Sequence, residues 1–213
     1  MVDTERSVIL NTDADVARGV AWLAAADPGL ARAAAATGPV ALRRRPEGFG
    51  AVLSTIIGQQ VSVASAAAVW RRLEAAGLTE QTHVAGCSAE ALRDCGLSRQ
   101  KIRYALALAD SGINFGGLAE VPDQEVIDTL VTVPGVGVWT AEIYAMFALG
   151  RADVFAAGDL ALQEAVRVVY DLPERPTEKA LRARAEAWTP WRTVAATLLW
   201  QYYAVVKGRE GVR

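Results

Sequence analysis

Apolar residues recur along most of the chain at the three- and four-residue spacing that places them on one face of an α-helix. Val16, Val20 and Leu23 form one such series, and glycine or proline ends most series after a few turns. We count about ten helical segments in this way. Residues 40–42 and 153–155 are the best candidate strands, but both are too short to build a sheet. The pattern therefore predicts an all-α protein.

Capping residues and helix breakers predict where these segments begin and end. Residues 1–12 are expected to form a loose terminus, after which Asp13 or Asp15 caps the first helix. The Asp-Pro-Gly sequence at 27–29 ends that helix, and Gly38 ends the Ala-rich helix that follows. The later helices are expected to start at or near Phe49, Ser62, Ser88, Ser98, Asp123, Gly137, Asp159, Thr177 and Pro190.

Composition narrows the classes of function. The chain carries a net charge of −2, which argues against wholesale electrostatic binding of nucleic acid, so any such contact needs a local patch or backbone donors. Cys87 and Cys95 are too few for a disulfide framework or a four-cysteine cluster, and we interpret them as buried thiols. Neither an apolar run of the ~20 residues that cross a membrane nor the pattern of a secretory signal is present. We expect a cytoplasmic protein.

The stretch Leu130–Ala141 contains a Pro-Gly-Val-Gly turn, at 134–137, between two apolar, helix-like segments. The proline prevents the first helix from continuing, and the glycines allow unusual torsions and close approach of a ligand. The second helix begins at once, so its unpaired N–H groups and the positive end of its dipole suit an anion such as phosphate. The Thr140 hydroxyl would add a donor. A plain helical hairpin without a ligand is the alternative.

Apolar residues lie before and inside the turn, the small pair Thr140-Ala141 follows it, and a helix is expected on each side. In these features the stretch is similar to the helix-hairpin-helix motif of proteins that bind DNA without reading its sequence. Asp159 follows after about one helix and a loop, at the start of another helix. With this aspartate, the chain resembles the helix-hairpin-helix DNA glycosylase superfamily. Within the superfamily, it resembles the 3-methyladenine DNA glycosylase II group of alkylation-repair enzymes.

Three further segments carry the resemblance, which covers residues from about 45 to 205. Residues 56–63 are similar to the Gly-Gln-x-Val-Ser signature of that group, and residues 96–101 resemble its second, more degenerate hairpin. Residues 188–192, followed by Trp200, are similar to its C-terminal helix region.

The resemblance implies a single glycosylase domain over residues 1–213, with about ten helices in two lobes around a cleft. Residues from about 45 to 150 would form the lobe that contains the hairpin. The N-terminal helices and residues 160–213 would form the other lobe. The N-terminal β domain of some family members is expected to be missing, because the residues before position 45 are too few for it and have a helical pattern.

Asp159 is the expected catalytic residue. Cleavage of an N-glycosidic bond passes through a sugar cation, and a fixed carboxylate beside the anomeric carbon stabilises that charge and orients or deprotonates the attacking water. The start of a helix favours the ionised form of the carboxylate. The alternative is an ordinary N-cap residue, worth about 1 kcal/mol of helix stability. The two roles are compatible.

The resemblance also bears on which reaction the protein performs. Trp139 stands where superfamily members that also cut the DNA backbone carry a nucleophilic lysine, and an indole forms no Schiff base. This implies a monofunctional enzyme that leaves an abasic site. The two cysteines fall short of the four that an iron–sulfur cluster requires, and no cofactor is expected to be required.

A base pocket follows from the same resemblance. Trp139 and Trp200 match walls of that pocket, and electron-rich indoles attract cationic alkylated purines by about 0.5–2 kcal/mol each. Tyr144 is a further candidate. Ile143 and Leu160 stand where a well-known member has aromatic residues, which leaves the range of lesions open.

A base in duplex DNA must leave the stack before it is cut. Gln60 matches the family position that fills the resulting gap, and Gln59 is its alternate. The residues expected to contact the DNA backbone are Gly135, Gly137, Val138, Thr140, Ser98 and Lys101. The family also suggests a Na⁺ or K⁺ ion bound by backbone carbonyls of the hairpin, those of Val131, Val133 and Val136.

Together these residues predict a base-excision repair enzyme of the 3-methyladenine type, which flips alkylated purines out of double-stranded DNA and hydrolyses the N-glycosidic bond. The protein is expected to act as a monomer, in the cytoplasm at the nucleoid, without a membrane. The alternative is a non-catalytic helix-hairpin-helix DNA-binding module, which would require neither Asp159 nor the pair Trp139 and Trp200. The missing lysine and cysteines disfavour a glycosylase for oxidised or mispaired bases.

Overall fold

The structure, a computed structural model, describes residues 8–208. Twelve α-helices and two short 3-10 helices make up the regular structure of this range, apart from a single β-bridge between Ile9 and Arg151. The all-α prediction is confirmed. The α-helices are α1 (Asp13–Ala26), α2 (Pro28–Thr37), α3 (Phe49–Gly58), α4 (Val63–Ala75), α5 (Gln81–Ala85), α6 (Ala89–Asp94), α7 (Arg99–Ala109), α8 (Asp123–Val131), α9 (Val138–Phe147), α10 (Leu160–Val169), α11 (Glu178–Ala185) and α12 (Arg192–Val206).

Side-chain caps fix several helix starts where the sequence predicts them. Ser62 and Ser98 each accept a hydrogen bond from the backbone N–H three residues further on, at 3.2 and 3.3 Å. The first helix differs, because Thr12 rather than Asp13 is its N-cap, and the Asp15 carboxylate accepts a hydrogen bond from the Thr12 N–H at 2.8 Å. The sequence pattern misses α5, since a helix of five residues is too short to show a period.

The segment before α1 is held in place where the sequence predicts a loose terminus. The backbone N–H of Leu10 donates to the Gly150 carbonyl at 2.8 Å, and that of Ala152 donates to the Val8 carbonyl at 2.8 Å. The Leu10 side chain is buried. The prediction is therefore wrong for residues 8–12, because helical periodicity carries no signal for hydrogen bonds to a distant segment. Residues 1–7 lie outside the described range.

The chain divides into two compact units. One comprises the described residues up to Arg44 together with those from Ala145 onward, and the other, the hairpin unit, is Arg45–Tyr144. In the first unit, α12 packs against α1, α2 and α10. Its fully buried side chains include Leu23, Leu30 and Leu198.

The hairpin unit is built around α7. Helices α3, α5 and α6 pack against it, and α4 packs against α3. Leu53, Ile56 and Leu108 are fully buried in this unit. Among residues 8–208, every helix is too short or too polar to cross a bilayer.

Asp27 joins three parts of the first unit. Its Oδ1 caps α2 by accepting hydrogen bonds from the N–H groups of Gly29 at 2.8 Å and Leu30 at 3.2 Å. Its Oδ2 accepts from the Tyr170 hydroxyl at 2.7 Å and from Trp188 Nε1 at 3.1 Å. Burial alone would raise the pKa of the Asp27 carboxyl, but these hydrogen bonds outweigh burial and hold the pKa below its ordinary value.

The lowered pKa of Asp27 predicts an acid-sensitive contribution to stability. A carboxyl whose pKa is lower in the folded than in the unfolded state stabilises the fold above its unfolded value of about 4, and this contribution is lost as the pH falls towards the folded value. Asp27→Asn should lower the free energy of unfolding by about 1–3 kcal/mol at pH 7. The difference from the wild type should shrink between about pH 5 and pH 3. Urea unfolding over this range measures it, and a constant difference would contradict the role of the charge.

Candidate active site

The hairpin turn depends on glycine at position 135. Gly135 has a φ of 90°, in the left-handed region, and a Cβ there would overlap the ring of Tyr104 on α7. The Tyr104 hydroxyl accepts a hydrogen bond from Gln100 Nε2 at 2.6 Å. The turn therefore packs directly on α7, with no room for a side chain at this point.

The start of α9 lies at an exposed point of the chain. The N–H of Ala141 donates to the Gly137 carbonyl at 3.1 Å, as in the first turn of a helix. The N–H groups that precede this bond have no acceptor within the helix and lie at the positive end of its dipole. Gly137 and Val138 are exposed, and a Cβ on Gly137 would meet nothing within 4 Å. An exposed helix start of this kind is suited to an anion, and that it binds a DNA phosphate stays a prediction.

The Thr140 side chain does not belong to that surface, and the role expected for its hydroxyl needs correction. Its side chain is 2% exposed, and its hydroxyl oxygen accepts a hydrogen bond from Gln59 Nε2 at 3.4 Å. The same Nε2 donates to the Gly135 carbonyl at 3.1 Å. A buried hydroxyl does not reach an anion outside the protein, so Thr140 stabilises the turn from within instead of donating to a phosphate.

Asp159 is the N-cap of α10. One carboxylate oxygen, Oδ1, accepts hydrogen bonds from the N–H groups of Ala161 at 2.9 Å and Leu162 at 3.0 Å. The carboxylate therefore lies at the positive end of the α10 dipole. The residue is partly exposed, so the helix fixes its position while a ligand can still approach it.

Trp200 on α12 donates a third hydrogen bond to the same oxygen, from Nε1 at 3.0 Å. Its indole is 7% exposed and packs against Phe147, with ring centroids 5.8 Å apart and planes inclined by 39°. Because three donors meet on one oxygen, the carboxylate of Asp159 has little rotational freedom. A fixed negative charge of this kind stabilises a positive charge that develops beside it.

The family of the chain follows from comparison with known proteins. The profile described as "HhH-GPD superfamily base excision DNA repair protein" matches residues 53–190, a range that includes both the hairpin and Asp159. The chain belongs to the HhH-GPD superfamily. The family predicted from the sequence is thereby confirmed.

Relatives and solved structures agree with this assignment. DNA-3-methyladenine glycosylase 1 of Schizosaccharomyces pombe is 28% identical over 168 residues, which cover 74% of this chain and 73% of that protein. A DNA-3-methyladenine glycosidase from Bacillus halodurans has a similar structure, with a TM-score of 0.80 and 32% identity over 94% of each chain. The S. pombe 3-methyladenine DNA glycosylase in complex with abasic DNA gives a TM-score of 0.75 at 24% identity, over 89% of this chain and 97% of that one.

In this HhH-GPD protein, Gln60 occupies an exposed, left-handed position just after α3. Its φ is 57°, and it is one of two non-glycine residues with positive φ in residues 8–208. Such a conformation is uncommon for a residue with a Cβ and is concentrated at functional sites. The next residue, Val61, is 43% exposed. That these side chains enter the DNA stack stays a prediction.

Ser98 and Lys101, which were expected to contact the DNA backbone, already have protein partners. The Ser98 hydroxyl caps α7 by accepting a hydrogen bond from the Lys101 N–H at 3.3 Å. The Lys101 ammonium donates to the carbonyls of Ile57 at 2.5 Å and Gln59 at 2.8 Å. A phosphate at Lys101 would have to compete with both carbonyls. The sequence gives no sign of this pairing, since the acceptors lie 42 and 44 residues away in the chain.

The other expected pocket residues differ in accessibility. Trp139 is 38% and Leu160 is 62% exposed, so both offer apolar surface to a ligand. Ile143 and Tyr144 are buried, and the Tyr144 hydroxyl accepts a hydrogen bond from the Gly48 N–H at 3.2 Å. Burial raises the pKa of the Tyr144 phenol. Trp200 acts on Asp159 through its N–H, a role that the sequence did not reveal. That these five side chains line a base pocket stays a prediction.

The carbonyls expected to bind a monovalent cation belong to Val131, Val133 and Val136. The Val133 carbonyl accepts a hydrogen bond from the Val136 N–H at 3.0 Å and retains a second lone pair. Backbone carbonyl oxygens are a ligand type that replaces the hydration shell of such ions, so the donor set fits. The cation itself stays a prediction.

Proposed function

We propose that the protein is a monofunctional DNA glycosylase that removes alkylated purines from double-stranded DNA and leaves an abasic site. The observation that carries the proposal is the Asp159 carboxylate, whose Oδ1 accepts three hydrogen bonds at the start of α10. The relatives named as 3-methyladenine glycosylases support the substrate class. A DNA-binding module without catalysis would not require a carboxylate held in this way.

The chemistry requires stabilisation of a sugar cation. The C1′–N bond breaks, and its electron pair goes to the departing base, which loses the positive charge that alkylation gave it. C1′ becomes cationic, and the Asp159 carboxylate stabilises it electrostatically. The oxygen of a water molecule then bonds to C1′, and the proton that it loses passes to the carboxylate and on to solvent. Since the hydrogen bonds already fix the carboxylate, it does not reorganise as the charge develops.

Trp139 supports both the substrate class and the absence of a second reaction. Its exposed indole attracts a cationic purine by about 0.5–2 kcal/mol, whereas an uncharged purine gains little from this interaction. An alkylated base is also a good leaving group, so no strong general acid is needed. At the hairpin position where lyase members carry lysine, an indole cannot attack the sugar. The DNA backbone therefore stays intact.

The remaining predicted residues serve DNA binding. The exposed N–H groups around Gly137 and Val138 bind a backbone phosphate, and Gln60 fills the gap that the flipped base leaves. Such contacts recognise the backbone and not the sequence, which suits an enzyme that meets damage in any sequence. A Na⁺ or K⁺ ion on the hairpin carbonyls would add positive charge near this phosphate. We expect the protein to act as a monomer.

Methylated duplex DNA tests the proposal. The protein should release free 3-methyladenine or 7-methylguanine, which chromatography detects, and the remaining abasic sites should break only on alkaline treatment. Binding of the same DNA without release of base would instead identify a non-catalytic module. Strand breakage without alkali would overturn the monofunctional assignment.

A further inference from the structure

Lys101 closes the C-terminal end of α3. It reaches from α7, and its ammonium donates to the carbonyls of Ile57 at 2.5 Å and Gln59 at 2.8 Å. Ile57 lies in the last turn of α3, where the backbone carbonyls receive no hydrogen bond from within the helix and form the negative end of its dipole. A cation at this position is favourable for both reasons. Burial lowers the pKa of Lys101, as expected for an ammonium turned towards protein.

The peptide held in this way leads directly to Gln60. The Gln59 carbonyl belongs to the peptide unit that joins Gln59 to Gln60, so fixing this oxygen restricts the torsions on both sides of it. Gln60 adopts a φ of 57°, which a residue with a Cβ takes only where its surroundings impose it. The loop also borders an open cavity of about 240 Å³, lined in part by Val61 and Ser65, so packing supports only part of it.

The Gln59 side chain ties the same loop to the hairpin turn. Its Nε2 donates to the Gly135 carbonyl at 3.1 Å and to the Thr140 hydroxyl at 3.4 Å. Main chain and side chain of Gln59 are thus both fixed, the first by Lys101 and the second by the turn. Within the hairpin unit, the loop that carries Gln60 and the turn that precedes α9 form one hydrogen-bonded assembly.

We infer that Lys101 is a positioning residue for the Gln60 wedge. Its ammonium holds the peptide between Gln59 and Gln60 so that the Gln60 side chain enters the duplex at a fixed distance from the phosphate bound at the hairpin. The inference rests on the proposed function, because it gives Lys101 a part in base flipping. It replaces the expectation that Lys101 binds a phosphate. The two roles predict different dependence on salt.

Three variants separate these roles. Lys101→Met removes the ammonium and keeps the apolar stem, Lys101→Arg keeps a positive donor, and Lys179→Met removes one exposed charge from α11 as a control. Single-turnover excision from methylated duplex should fall roughly tenfold in Lys101→Met, recover in Lys101→Arg and stay unchanged in the control. The slope of log affinity against log salt should equal that of the wild type. A slope reduced by about one would identify a phosphate contact and overturn the inference.

A double-mutant cycle tests whether Lys101 acts through Gln60. In a Gln60→Ala background, Lys101→Met should lower duplex excision by less than about twofold, because the wedge that it positions is already absent. If the double variant excises bases more slowly by the full product of the two single effects, the inference is overturned. If circular dichroism shows that Lys101→Met does not fold, Lys101→Gln takes its place in the cycle. Its side chain is neutral and shorter than that of lysine.

DNA that needs no cleavage separates this inference from the proposed function. A duplex with a stable abasic analogue next to 2-aminopurine becomes more fluorescent when the neighbouring base unstacks. The wild type should produce this increase, and Lys101→Met should lose most of it. An unchanged increase in a folded Lys101→Met variant would overturn the inference even if the wild type excises bases. Failure of the wild type to release methylated bases would overturn the proposed function, while the fluorescence still tests Lys101.

Discussion

Replacing Asp159 with asparagine should slow release of methylated bases by about 10²–10³-fold. Asparagine keeps an oxygen for the N–H groups of Ala161 and Leu162, so α10 stays capped and stability should change by less than about 1 kcal/mol. The variant loses only the negative charge that stabilises the sugar cation. Single-turnover release measures the loss, with duplex affinity measured separately. A wild-type rate would contradict the catalytic role of Asp159.

Trp200→Phe provides a graded version of this experiment. Phenylalanine retains an aromatic ring to pack on Phe147 but removes the N–H that reaches Asp159 Oδ1. The rate should fall by about tenfold, less than in Asp159→Asn, because misorientation costs less than loss of charge. Combining the two substitutions should be little slower than Asp159→Asn alone, since no charge remains to be oriented. A much slower double variant would show that Trp200 acts on the substrate directly.

Gly135→Ala should lower the free energy of unfolding by about 2–5 kcal/mol. A left-handed residue with a Cβ costs about 1–2 kcal/mol, and the overlap with Tyr104 adds about 1–3 kcal/mol of overpacking. Urea or thermal unfolding followed by circular dichroism measures the loss. A stability equal to that of the wild type would mean that the turn or Tyr104 moves without cost.

Gly137→Ala is the matched variant two residues further on. Its Cβ has open space, so the stability loss should stay below about 1 kcal/mol. The methyl group would, however, stand between the α9 donors and a bound phosphate, and duplex affinity should fall about ten- to a hundredfold. The two alanines should therefore show opposite patterns, one in unfolding and the other in DNA binding. If Gly137→Ala binds duplex DNA with the affinity of the wild type, no phosphate binds at this helix start.

The sequence predicts those parts of the protein that local chemistry decides. The Ser62, Ser98 and Asp159 caps depend on residues two or three positions away, and each is found where it is expected. The hairpin turn is also local, because its proline and glycines fix the chain over four residues. For the same reason, the predicted helix starts are mostly right, although the reciprocal cap by Thr12 was assigned to its neighbours.

Contacts between distant segments explain what the sequence does not reveal. Thr140 has the small polar side chain of a phosphate donor, but it is buried, and its hydroxyl accepts a hydrogen bond from Gln59, 81 residues away in the chain. Trp200 and Asp159 lie 41 residues apart in the chain. The sequence therefore does not show whether the Trp200 indole serves as a wall of a pocket or as a hydrogen-bond donor to Asp159. Helical periodicity reports which face of a helix is apolar, and carries no information about which polar atom a side chain meets.

The hydrogen bonds that α10 donates to Asp159 come from the main chain, so they do not depend on which side chains stand at these positions. Any residue except proline at 161 and 162 offers the same N–H groups, and Leu160 points its exposed side chain away from the core. Because the proposed function places Leu160 at the base pocket, we expect substitutions there to change which lesions are accepted and to leave the hydrogen bonds of Asp159 in place. Under the proposed function, selectivity and reactivity would be able to evolve separately at the start of one helix, and Leu160 would be the position at which to engineer a new lesion preference.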